Sequence, residues 1–200
     1  ALAVLSLIAV IAWMLGPRAE AAGTPLATRL AQVTSNEAVE EWPAWSPDGK
    51  PLVFSRTVGG YRNLFVKQYP RVRSGTGAFS PSWSPDGAHL AVDAALGGAH
   101  RIWITDANGR NARQVSSDSS EVVVLMSPRW APDGKHLVFP RIEQQKSDIV
   151  VVDIATSVTR WVTHDDVVDL NPAWSPSGRF IYGRSRSGRR AESLQAPPKP

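Results

Sequence analysis

The sequence predicts an all-β fold assembled from repeated small antiparallel sheets, and three observations predict it. A seven-residue phrase returns four times, as PAWSPDG at 43–49, PSWSPDG at 81–87, PRWAPDG at 128–134 and PAWSPSG at 172–178. The tryptophans of the four copies, Trp45, Trp83, Trp130 and Trp174, stand 38, 47 and 44 residues apart. Between copies lie short apolar runs of strand length bounded by turn residues, with no helical periodicity after residue 25. Four strands in a repeat of about 40 to 45 residues is the pattern of a β-propeller blade. The expectation is three nearly complete blades and a partial fourth, preceded by an apolar N-terminal helix.

In chain order, residues 1–16 (ALAVLSLIAVIAWML and Gly16) are uncharged and read as the end of a transmembrane helix or the apolar part of a secretion signal. Ala19-Glu20-Ala21 offers a small-x-small cleavage site, whereas Trp13 suits an interfacial anchor. Residues 17–28 form a linker, 29–184 a partial propeller, and 185–200 a basic, proline-rich tail whose composition predicts disorder. Within each repeat PAW supplies a first strand and SPDG a turn. PLVF, HLAV and HLVF supply a second strand; NLFVKQ, RIWITD and DIVVVD a third. RQVS at 113–116 and RWVT at 160–163 supply a fourth. AQVT at 31–34 matches those outer strands but precedes the first tryptophan, as if it belonged to a preceding or ring-closing blade. The first repeat leaves room only for a short or missing outer strand, and the fourth loses its pattern at Ser193.

The repeated columns define the candidate site residues, and each has a structural reason. Pro47, Pro85, Pro132 and Pro176 preset φ for the second position of a type I turn; Asp48, Asp86 and Asp133, replaced by Ser177 in the fourth copy, suit the third. Gly49, Gly87, Gly134 and Gly178 take the left-handed position that closes such a hairpin. The aspartate can also accept hydrogen bonds from nearby backbone N–H groups. The tryptophans can pack between neighbouring blades, since one small sheet cannot bury both of its own faces. The motif therefore predicts a hairpin joint, with no catalytic, cofactor-binding or metal-ligating residue among its members. Calcium loops gather several oxygens within a dozen residues, whereas each turn here carries one carboxylate.

Composition narrows the remaining chemistry. The chain contains no cysteine, which removes disulfides, thiol nucleophiles and thiolate metal sites. No GxSxG, HExxH or phosphate-cradling glycine loop occurs. The net charge of +4 is modest, and the arginine-rich stretch RFIYGRSRSGRR reads as a solvated tail, so no nucleic-acid face is expected. His89 and His136 share a column at the start of equivalent strands, while His100 and His164 stand outside it. VTHDDVVD at 162–169 places Asp165, Asp166 and Asp169 in an inter-blade loop, either solvated or facing a cation or a partner's basic patch.

PxWSPDGxxL followed by IWITDANG resembles the WD40-like PD40 repeat of TolB-type β-propellers, over about residues 29–184. That resemblance implies a six-or-more-bladed ring, and the apolar run at residues 1–16 predicts an exported protein. The direct passage from apolar run to propeller is similar to membrane-anchored bacterial regulators with an external propeller. Four structural repeats with no recoverable active site, behind an apolar N-terminal run, predict a non-catalytic module, tethered to the membrane through its N-terminal segment or released to the periplasm, that binds a protein or peptide without a cofactor. Two alternatives follow from the same family: the propeller half of a prolyl-oligopeptidase-type serine peptidase, and an envelope component of the Tol system.

Overall fold

A computed structural model describes residue 34, residues 38–67, 78–95 and 98–185, and the backbone of 194–195. The chain divides into two units, Ala1–Glu37 and Ala38–Pro200, and the second carries the fold. The apolar N-terminal segment, nearly all of AQVT, the 68–77 segment of the first repeat and most of the C-terminal tail lie outside the described residues.

Four antiparallel sheets follow one another along the second unit. Blade 1 contains β1 (Glu40–Trp45), β2 (Leu52–Val58) and β3 (Tyr61–Lys67); blade 2 contains β4 (Ala78–Trp83), β5 (His89–Ala94), β6 (Arg101–Asp106) and β7 (Arg113–Gln114). Blade 3 contains β8 (Val123–Leu125), β9 (Arg129–Trp130), β10 (His136–Glu143), β11 (Lys146–Asp153) and β12 (Thr159–Trp161). Blade 4 contains β13 (Asp169–Trp174), β14 (Phe180–Ser185) and a two-residue β15 (Leu194–Gln195), which pairs with β14 at Phe180 and Ile181. The sequence ends its pattern at Ser193, yet β15 begins one residue later, beside the column that opens the third strand in the other repeats. Among the described residues there is no helix.

Strand periodicity explains why the apolar runs are continuous rather than alternating. In blade 3, Leu137 and Phe139 of β10 and Val150 and Val152 of β11 point towards blade 2, where they meet Ala91, Ile102 and Ile104. The intervening Val138, Ile149 and Val151 point the other way and meet Ile181 of blade 4. Blades 1 and 2 join similarly through Val53, Leu64 and Val66 against Leu90, Val92 and Trp83. Successive side chains alternate between faces, so a sheet covered on both faces needs an apolar residue at every position. The core is thus three inter-blade layers.

Polar atoms fasten the same joints. Arg101, almost fully buried, donates from Nη1 to the carbonyls of Val123 (2.7 Å) and His100 (2.9 Å) and from Nη2 to Ser120 (2.5 Å), fixing the connection between blades 2 and 3. Ser147 Oγ donates to the Asp169 carbonyl at 2.7 Å, beside a parallel bridge from Ser147 to Val168, and so ties blade 3 to blade 4.

Candidate functional site

The four turns close as their residue types require. Gly49, Gly87, Gly134 and Gly178 have φ between 69° and 71°, and each donates its N–H to the carbonyl three residues back at 2.9–3.0 Å. Asp48 Oδ1 accepts from Ser46 Oγ (2.5 Å) and Lys50 N (3.2 Å), and Asp86 Oδ1 accepts from Ser84 Oγ (2.5 Å) and Ala88 N (3.0 Å). The serine hydroxyl, followed by the backbone N–H, holds both carboxyls below the ordinary aspartate range. Where Ala131 removes the hydroxyl, Asp133 accepts from Lys135 N and meets His136 Nδ1, both at 2.8 Å. Ser177 takes the place of the aspartate in the fourth turn, 3.2 Å from Ser175 Oγ and 3.4 Å from Arg179 N.

These turns also touch across blades. The Cα-attached space of Gly87 faces Pro47 Cδ, that of Gly134 faces Pro85 Cδ and that of Gly178 faces Pro132 Cδ, at 3.7–4.0 Å from where a Cβ would stand. Trp83 Nε1 donates to the Ala44 carbonyl of the preceding blade at 3.1 Å, whereas the buried Nε1 atoms of Trp130 and Trp174 have no acceptor among the described residues. Trp45 is 58% exposed against 9% for Trp83. The carboxylates of the motif are thus engaged in their own turns, on separate blades.

One recurrent feature escapes the motif columns. The residue before each first proline, Trp42, Ser80, Ser127 and Asn171, has φ between 45° and 57°, and the first strand of each blade is irregular there. A left-handed residue before proline is unfavourable on steric grounds, so tertiary contacts must hold it. At the joint of blades 2 and 3, buried Asp93 Oδ1 accepts the Ser127 N–H at 3.0 Å and Ser127 Oγ contacts Ser80 Oγ at 3.2 Å. His100 Nδ1 stands 3.5 Å from Asp93 Oδ2 without hydrogen-bond alignment. Burial lowers the Arg129 pKa, partly offset by Asp93.

At the opposite strand ends lies a cleft of about 520 Å³. Arg141 and Glu143 come from β10, Gln144 from the β10–β11 turn, Lys146 and Asp148 from β11 and Trp161 from β12, and the following loop supplies His164, Asp165 and Asp166. Trp161 is 46% exposed, with the Arg141 guanidinium 5.2 Å from its ring centre and the His164 ring at 4.6 Å. Arg141 is held by Asp118 (2.9 Å) and Glu143 (2.7 Å) and Lys146 pairs with Asp166, while Asp165 N donates to Asp148 Oδ1 at 3.1 Å. Of the acidic loop residues, Asp165 and Asp166 reach this cleft and Asp169 is buried in β13. Sequence reasoning named the loop but not Trp161 or Arg141. The available signal was a tryptophan outside the repeat column, in RWVT.

No protein-family model matches the sequence, and no curated protein matches it. Solved structures do. TolB from Acinetobacter baumannii superposes with a TM-score of 0.65 at 21% identity, covering 78% of this chain and 40% of its own. A TolB-type protein from Agrobacterium tumefaciens gives 0.63 at 27% identity, covering 77% and 57%. Prolyl oligopeptidase B from Galerina marginata gives 0.56 at 15% identity, covering 74% and 25%. The fold is therefore a TolB-like β-propeller, and the chain spans between a quarter and 57% of the length of each of these structures.

Proposed function

We propose that this chain is a non-catalytic β-propeller module, exported or membrane-tethered, whose loop face recognises a protein or peptide. The observation that carries it is the cleft beneath Trp161: a large half-exposed aromatic, flanked by charged groups from two strands and a loop, in a concavity of ligand-pocket size. Aromatic residues ringed by polar groups are characteristic anchors of recognition surfaces. Export is supported by the uncharged run at residues 1–16, which lies outside the described residues; among those described, no helix is long and apolar enough to cross a membrane. Selection of a displayed random-peptide library on the purified chain tests the proposal. Binders that lose affinity for Trp161→Ala are expected; a selection that yields none, or binders indifferent to that change, overturns it.

A second reading is favoured by the likeness to prolyl oligopeptidase B: a propeller that accompanies a serine hydrolase domain. A GxSxG serine followed by aspartate and histidine in the same open reading frame would establish it, and further WSPDG copies running to a stop codon would remove it.

A further inference from the structure

We propose that the Trp161 cleft takes the cationic side chain of an extended basic peptide, a lysine or arginine, an assignment that rests on the binding reading above. The charge count is the first reason. Four carboxylates line the cleft against two cations, although the chain as a whole is net positive. Both cations are already engaged, Arg141 by Asp118 and Glu143 and Lys146 by Asp166. Of the two lining carboxylates that neither cation engages, Asp165 accepts the Val167 N–H at 2.8 Å and Asp148 is the buried one. Its side chain is only 10% exposed; Oδ1 accepts the Asp165 N–H, while Oδ2 faces His164 Nδ1 at 4.0 Å, beyond a hydrogen bond, and Lys146 acts on it only through the field. A buried carboxylate is costly unless paired and hydrogen-bonded, so an incoming ammonium or guanidinium would meet a carboxylate already desolvated and oriented.

The second reason is shape. Trp161 gives the cleft an apolar wall, and lysine and arginine lay their methylene stems along such walls while the charged head reaches polar groups. The volume of about 520 Å³ exceeds what an inorganic cation fills.

The third reason selects a peptide over a free amine. Among the described residues β12 is the outer edge of its sheet, and Thr159, Arg160 and Trp161 are all exposed. A free edge offers unpaired N–H and C=O groups to an extended segment, and pairing there sends alternate side chains to one side, next to Trp161.

The probe is a fluorescent N-acetylated octapeptide of alternating alanine and lysine, titrated into the full chain at low ionic strength, with its alanine–glutamate counterpart and spermidine as comparisons. The lysine peptide is expected to bind, the glutamate peptide not to, and Asp148→Asn to weaken binding by about tenfold or more. Asp48→Asn, at the other strand ends, should leave the affinity unchanged. Circular dichroism and a thermal melt check folding, and exposed Trp161→Ala carries the test if Asp148→Asn does not fold. Unchanged affinity in Asp148→Asn, equal binding of the glutamate peptide, or spermidine binding as tightly as the peptide overturns the assignment. If the lysine peptide fails while library-selected peptides of other charge still depend on Trp161, this inference falls and the binding reading stands. If no peptide binds, both fall.

Discussion

At the residue scale the repeated turn divides its labour unevenly. Gly87 has φ 71°, which a β-branched residue rarely adopts, so Gly87→Val adds backbone strain, although its Cβ would make only ordinary contact with Pro47 of the neighbouring blade at 3.7 Å. A loss of about 1 to 3 kcal/mol in a denaturant titration is expected. Asp86→Ser should cost within about 1 kcal/mol by the same measurement, because Ser177 already fills that role in the fourth turn. The carboxyls of Asp48 and Asp86 have pKa values below that of an unfolded aspartate, so their contribution is present above the unfolded pKa and disappears as pH falls through the folded value. The urea midpoint should therefore decline below about pH 4, and less steeply in Asp48→Ser/Asp86→Ser. This turn chemistry was legible because it is local: proline, aspartate and glycine dictate the hairpin within four residues. The left-handed Ser127 was not legible. Proline at 128 disfavours that conformation, and what supports it is the carboxylate of Asp93, 34 residues away.

At the scale of elements, the tryptophan column shows that one residue type at one register position can have different energetic weight. Trp83 is packed between blades 1 and 2 and donates to Ala44, whereas Trp45 is mostly exposed among the described residues. Trp83→Ala should cost about 3 to 5 kcal/mol and Trp45→Ala under about 1 kcal/mol, compared by thermal melts of the two variants. Asp93→Ala, which leaves the buried Ser127 N–H without its acceptor, should cost about 1 to 3 kcal/mol. Strand identity was readable from apolar runs of the right length after each turn. Strand extent was less so, since β1 and β4 begin three residues before the PAW and PSW segments, on the far side of the irregularity at Trp42 and Ser80. A ladder continues wherever a partner strand is present, and the partner is outside the local window.

Across the whole molecule, stability resides in layers between blades, so hydrogen exchange should be slowest in β5, β6, β10 and β11, which are covered on both sides, and fastest in blades 1 and 4. Uniform protection across all four blades would contradict that order. The sequence by itself determined the blade repeat, its turns and the register of its tryptophans, because short-range sterics and a period of two act within each segment. Only the tertiary structure decided which tryptophan is buried, where the strained residues before proline find support, and that Arg141, Asp148, Trp161 and Asp165 share one cleft. Those four residues come from different strands and a loop, and antiparallel pairing, not sequence spacing, sets the distance between them.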